Sequence, residues 1–219
     1  MILPQTRLHY INDQIGYGVF ATEFIPKGTI TYVQDALEPE ISPEEFSSHK
    51  SEMRDLIEKY SYIDNKGYRI ISWDFGKYVN HCCNANTMST GYGFEIAIRD
   101  INPGEEITDE YGIFNMEKSM ILSCKYANCR GIVCKDDFDT CYQTWDEQIK
   151  EALFLVDQVP QPLLSFMDLS TLQEVRNFLK EPETYKSVYH LKFNKTNNKT
   201  ETIPPIVKSN GYVKMEQNS

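Results

Sequence analysis

The stretch YVNHCCNAN, Tyr78 to Asn86, sets a histidine and two adjacent cysteines among three asparagines. His81, Cys82 and Cys83 suit two chemistries: metal ligation by thiolate and imidazole, and nucleophilic catalysis by a thiol with a histidine base. With Cys124, Cys129, Cys134 and Cys141 the donors outnumber what a tetrahedral zinc takes. Yet CKYANCRGIVC leaves four residues between successive cysteines, where tight zinc knuckles use C-x2-C pairs, and buried thiols are the plain alternative. The nucleophile meets a geometric objection, since neighbours on a strand point to opposite faces. The other histidines, His9, His49 and His190, stand in no motif.

A second stretch, GEEITDEYGIFN from Gly104 to Asn115, carries Glu105, Glu106, Asp109 and Glu110 beside Tyr111. Its acids suit metal binding or proton transfer, while a solvated turn leading into a charged strand explains most of them. Tyr111 asks for more, because Gly112 beside it permits close approach of backbone to a ligand. GYG at Gly16 to Gly18 is too short for a dinucleotide fingerprint, which runs G-x-G-x-x-G from strand to helix. A strand follows these glycines, so alone they mark a turn.

The elements that must position these residues are mostly short strands. GVFAT and TITYVQ flank the turn IPKGT, where Pro26 presets φ and Gly28 admits a left-handed residue. In SPEEFSSHKSEMRDLIEKY, Ser42 and Glu45 form a capping box with Pro43 at the first helical position. Phe46, Met53, Leu56, Ile57 and Tyr60 then share one helix side. YRIISW reads as a strand, as does FEIAIRDI, where Phe94, Ile96 and Ile98 alternate with Glu95, Ala97 and Arg99 before the turn INPGEE. After Tyr142 the pattern turns helical. Thr144 and Glu147 make a capping box ahead of Trp145, Ile149, Leu153 and Val156, with Pro160 as limit. Ser170 and Gln173 repeat it for Leu172, Val175, Phe178 and Leu179, with Pro182 as stop. From Lys192 onward an Asn/Lys/Thr-rich stretch predicts a flexible tail.

At 219 residues with 41% hydrophobic content, the chain suffices for a substantial core. No apolar run approaches a bilayer span, and MILPQTRLHYINDQ lacks the order of a signal peptide. A cytoplasmic chain with reduced or metal-bound cysteines is the expectation. A histone substrate would instead place it in a nucleus or secrete it into a host. The net charge of -10 disfavours nucleic acid and favours a basic partner, although solubility alone explains many acidic surfaces.

Taken in order, these pieces resemble the SET-domain family of protein lysine methyltransferases. GYGVFAT with FIPKGT resembles its opening G-x-G strand, YVNHCCNAN its N-H-S-C-x-P-N box, DINPGEEITDEYG its G-E-E-L-T-x-D-Y-G box, and CKYANCRG its post-SET segment. The likeness covers about Ile15 to Lys135. It implies a mainly β fold of several small sheets in which two boxes cross as a pseudoknot, to which the periodic stretches after Tyr142 add an α-helical C-terminal appendage. Together the readings divide the chain into a SET domain over 1–115 with a helical insertion over 41–62, a post-SET-like segment over 116–141, a helical region over 142–191 and a tail over 192–219.

The resemblance further implies S-adenosylmethionine as methyl donor, with Gly16, Tyr17, Gly18, Asn80, His81 and Tyr111 around it, Tyr111 as the catalytic hydroxyl, and Asn86 bracing the knot. The partner is then a lysine-containing protein or peptide, a histone tail among the candidates. Only a neutral amine attacks the methyl carbon, and lysine ordinarily ionises near 10.4. A dry channel disfavours the ammonium, and alignment supplies much of the rate. Asp109 stands where many members carry an aromatic residue, which opens one wall of the lysine channel and leaves the number of methyl groups undetermined. It also leaves a catalytically inactive peptide-binding module as the rival reading. Cys83, Cys124 and Cys129 match three of four zinc positions, with Leu122 in place of a cysteine, so zinc is either absent or completed by a residue such as Cys134. The helical region either packs on the core or serves a homodimer.

Overall fold

Glycine and proline turns keep the strands of this chain short, and their burial runs from the fully buried ITYV to the mostly exposed TRLHYIN. A computed structural model describes residues 1–122, 126–127 and 129–194. In chain order the first elements are β1 (Thr6–Asn12), β2 (Gly16–Ala21), β3 (Ile30–Val33) and β4 (Glu40–Ile41). Next come α1 (Pro43–Ser48), α2 (Ser51–Tyr60), β5 (Ser61–Ile63) and β6 (Arg69–Ile71). The middle holds β7 (Asn80–His81), β8 (Thr87–Ser89), β9 (Phe94–Ala97) and β10 (Glu106–Asp109). β11 (Met120–Ile121), β12 (Ile132–Val133), α3 (Asp137–Leu153) and α4 (Leu169–Lys180) complete the set.

The strands form four small sheets, ordered β1-β2-β10-β7, β3-β9-β8, β4-β6-β5 and β11-β12. Helix and strand take similar lengths of the described residues, so the fold is mixed α/β rather than mainly β. β1 was not evident in the sequence because most of its side chains are exposed, which removes the alternation that would announce it. β2 and β3, though adjacent in sequence, enter different sheets: β2 lies between β1 and β10, and β3 pairs with β9.

The insertion is two helices, broken at His49 and Lys50. Ser42 caps the first as expected, accepting the Glu45 N–H at 3.1 Å. In α2 only Ile57 is buried, while Met53 and Leu56 are exposed, so the apolar face predicted there is largely left in solvent. The C-terminal region also differs. α3 begins at Asp137, which puts Thr144 and Glu147 inside the helix rather than at its start. Trp145, Ile149 and Leu153 are buried as their spacing requires, and Val156 is buried just beyond the helix.

These helices share one core with the sheets. Phe138, Trp145, Ile149, Leu153, Val175 and Phe178 join Val19, Ile30, Ile96, Ile101 and Ile107 in a single cluster. Each such side chain contributes about 1.5–3 kcal/mol on burial. Polar stitches add direction: Gln161 accepts the Ile30 N–H at 2.9 Å and donates to the Gly28 carbonyl at 2.8 Å. Asp146, buried on α3, accepts from the Tyr185 hydroxyl, the Ser187 hydroxyl and the Val188 N–H. The region after α4 is thereby pinned to α3.

Candidate active site around Tyr111 and His81

Parallel pairing of β7 with β10 aligns Asn80 with Thr108 and His81 with Asp109. Two remote stretches, NHCCNAN and EITDEYG, are thus brought side by side. Capped turns hold both: Asp74 caps the turn Phe75–Tyr78 through the Gly76 N–H, and Glu110 caps Tyr111–Ile113 through the Gly112 N–H, each at 2.8 Å. Asn86, fully buried, clamps β10 with its amide, donating to the Glu106 carbonyl and accepting the Thr108 N–H, both at 2.8 Å.

The Tyr111 hydroxyl donates to the Val79 carbonyl at 2.6 Å, and its ring meets those of His81 and Phe114 at 5.5 Å. Burial, followed by the charges of Asp109 and Glu95, holds its phenol well above the ordinary range. The residue is therefore a neutral donor, not a base. His81 has a side chain only 2% exposed, and burial followed by the Arg130 charge pushes its imidazole down to about 4. Its Nδ1 lies 3.1 Å from both the Tyr111 backbone nitrogen and the Asp109 carbonyl oxygen. An amide N–H donates in every state, so we place the lone pair on Nδ1 and the proton on Nε2. Nε2 then faces the Cys83 sulfur at 3.6 Å.

On the other side, the Asn80 amide donates to the Tyr17 carbonyl at 3.0 Å and to Glu106 at 2.8 Å. Gly16 takes φ +84 with nothing within 4 Å of where a Cβ would stand. Gly18 is different. A Cβ there would meet Glu106 at 2.5 Å and Asn80 at 3.0 Å, so its bareness lets the strand pack against Asn80. Tyr17 is exposed, edge-on to Tyr10 and to Tyr78. Open backbone beside an exposed cluster of rings fits a flat nucleoside with an amino-acid tail, which is the shape of S-adenosylmethionine.

A cavity of about 410 Å³ opens on the Tyr111 side. Val79, Tyr111, Phe114, Tyr62, Glu95 and Asp109 are among its lining. Asp109 is 1% exposed, and its Oδ2 has no hydrogen-bond partner, while Oδ1 accepts the Glu110 N–H at 2.7 Å. Burial raises the Asp109 carboxyl, and burial with the neighbouring Asp109 charge raises Glu95 further.

Gly112, expected to admit a ligand, instead admits α3: a Cβ there would meet Trp145 at 2.8 Å and Glu110 at 3.0 Å. Arg130 is a site residue that motif reading passed over, and Glu110, read there only as one acid of its run, is its partner. Arg130 donates to Glu110 at 2.6 Å, stands 3.3 Å from Asp137, and its backbone N–H reaches the Cys83 sulfur at 3.3 Å. The signal was available in the buried-acid spacing of TDEYG and the lone arginine after Cys129. Glu95 was also passed over, although it is the single polar residue within FEIA.

Among the described residues, no group of three or more His, Cys, Asp or Glu residues is placed to hold a metal ion. Cys124, one of the expected ligands, lies outside the described residues. Cys129 accepts the Gly131 N–H, and Cys134 donates to Asp137. No described helix is long and apolar enough to cross a membrane.

Residues 16–112 match the family model described as SET domain. The chain is also similar to a variant-silencing SET domain-containing protein of Plasmodium falciparum (isolate 3D7), 28% identical over 193 residues. That match takes in 78% of this chain and 7% of the relative, so the chain spans a small part of the relative's length.

Proposed function

From the match of residues 16–112 to the SET domain model, we propose that the chain is a SET-domain protein that transfers a methyl group from S-adenosylmethionine to the ε-amine of a protein lysine. The observation that carries the reading is Tyr111, a largely buried neutral phenol whose hydroxyl is held by the Val79 carbonyl at the wall of a cavity of about 410 Å³. S-adenosylmethionine supplies an electrophilic methyl on a cationic sulfur. Gly16, Tyr17, Gly18, Asn80 and His81 would hold that molecule on one side, and the lysine would enter through the cavity on the other.

In this scheme Tyr111 orients the amine with its hydroxyl oxygen while donating its proton to Val79. Backbone carbonyls near Asn80, that of Val79 among them, would accept the weak C–H···O contacts of the methyl. His81 stays neutral and positions the Tyr111 backbone through Nδ1, adding no positive charge to a site that already receives one. The parallel pairing of β7 with β10 and the Asn86 clamp support a pseudoknot crossing of these two segments. The acidic surface favours a basic partner, for which histone tails are one source.

The test joins calorimetric titration with S-adenosylmethionine to transfer of labelled methyl into core histones and a whole-cell protein extract, with Tyr111→Phe as control. Binding, with label on lysine that is lost in the variant, is the expected result. Absence of binding overturns the reading. Binding without label in any protein favours a module that holds peptide and does no chemistry.

A further inference from the structure

Asp109 is an unusual lining for a cavity meant to strip a cation of its water. Its side chain comes from β10 in the four-stranded sheet, and Glu95 reaches it from β9 in the three-stranded sheet. Both line the cavity beside Tyr111 and Val79. The cavity's four basic residues are otherwise engaged: Arg69 pairs with Glu117, Lys118 with Glu58, Lys77 with backbone carbonyls, and Lys59 stands over the Tyr60 ring. Among the described residues, no lysine or arginine pairs with Asp109 or Glu95.

Two carboxyls in contact cannot hydrogen-bond unless one is protonated, and a buried carboxylate with no donor costs several kcal/mol. No N–H or hydroxyl reaches Asp109 Oδ2, and 99% of its residue is hidden from solvent, so its remaining neighbour is the Glu95 carboxyl. A pair that shares one proton, Glu95 donating to Asp109, still carries a single negative charge with no cation beside it. What this arrangement lacks is a cation with N–H donors, small enough to enter the cavity.

We propose that Asp109, backed by Glu95, receives the substrate amine as an ammonium and accepts one of its protons. This rests on the methyltransferase reading for the identity of that amine. An N–H bond of the ammonium breaks, an O–H bond forms on Asp109, and the electron pair stays on nitrogen. The neutral amine is then ready for the methyl donor, and Asp109 returns the proton to water. Asp109 thus offsets the desolvation of the incoming charge and removes it at the same place. Both carboxyls ionise less readily than usual because of burial, which brings proton acceptance toward the neutral range where a general base works best.

Butylammonium chloride, the lysine side chain without its backbone, tests this in the absence of any methyl donor. The full chain is titrated while NMR signals of Val79, Tyr111 and Phe114 are followed, with 1-butanol as the neutral counterpart. Native protein should prefer butylammonium by about tenfold or more, and Asp109→Asn should erase the preference while Glu95→Gln reduces it. Equal binding of the two probes, a preference that survives Asp109→Asn, or no response at these residues overturns the proposal. If Asp109→Asn does not fold, as judged by thermal unfolding, the native preference and the Glu95→Gln effect decide. Failure of the methyltransferase reading shows separately, as absent S-adenosylmethionine binding in a chain that still selects butylammonium.

Discussion

The hydroxyl of Tyr111 donates to the carbonyl oxygen of Val79 across 2.6 Å, joining the residue after the acidic run to the residue before the Asn80–His81 pair. One hydrogen bond thus spans the seam between β7 and β10. It orients the phenol at the cavity and satisfies a carbonyl that would otherwise face it. Tyr111→Phe should lower methyl transfer by about 100-fold or more. It should cost stability only about 1 kcal/mol, because net hydrogen-bond contributions are modest. Single-turnover transfer beside calorimetric cofactor titration checks this, and a change of S-adenosylmethionine affinity as large as the rate loss would contradict it.

Asn86 tests the seam itself. Its amide occupies two backbone groups of β10, and both become buried orphans in Asn86→Ala. Leaving a buried group unsatisfied costs about 1–3 kcal/mol each, so the variant should lose about 2–4 kcal/mol. Urea unfolding measures the loss directly, and a midpoint unchanged from the native chain would show that the clamp carries no weight.

Buried acids and the buried histidine pull stability in opposite directions with pH. Asp109 and Glu95 have folded values above their ordinary 3.8 and 4.5. Their contribution is therefore full below about pH 4 and is lost as pH rises through the raised values. The groups facing Asp109 are Glu95 and Glu110, with Tyr111 and the His81 ring beside it, and Glu38 acts on Glu95. His81, lowered from 6.5 to about 4, contributes above its ordinary value and loses that contribution as pH falls through about 4. Asp109→Asn should hence gain stability relative to the native chain between about pH 5 and 8, the gain growing with pH. A difference that is flat or shrinks with pH contradicts the raised values.

How much of this was legible depended on the range of each signal. The Ser42 cap lies within four residues and was readable. The motifs around Asn80, His81 and Tyr111 were readable as a resemblance, and the pairing of β7 with β10 joins them. Thr144 and Glu147 misled because the S/T-x-x-E spacing also occurs inside a helix already begun; the acids Asp137 and Asp139 mark its first turn. Met53 and Leu56 misled because an apolar stripe guarantees no partner. Glu95 and Arg130 had marks in the sequence but no readable role, because each matters through a residue far away in sequence, Asp109 and Glu110, and only the packing of separate elements supplies that neighbour.

Arg130 holds the segment after the SET match against the site. It pairs with Glu110, which is 4% exposed, while the guanidinium itself is about a quarter exposed. Arg130→Met leaves the carboxylate without its cation, at a cost reduced by the solvent that reaches the arginine, about 2 kcal/mol. The same change removes a positive charge that depresses the His81 imidazole. NMR titration should therefore show His81 moving upward in Arg130→Met, and an unmoved value would place the cause in burial alone.

Gly112 ties the helical region to the same chemistry. It follows Tyr111 directly, and the indole of Trp145 from α3 stands where a side chain would have to go, 2.8 Å from a built Cβ. Trp145 is 4% exposed and fixed by Phe138, so it cannot retreat without disturbing the core. Gly112→Ala should cost about 1–3 kcal/mol as overpacking, and the strain falls on the turn that aims the Tyr111 hydroxyl. Trp145→Leu should relieve the clash at its own cost in lost burial. The double variant should then recover transfer activity relative to Gly112→Ala while remaining less stable than the native chain. Unfolding and single-turnover measurements on the three variants separate these effects, and a double variant as inactive as Gly112→Ala would show that α3 does not position Tyr111.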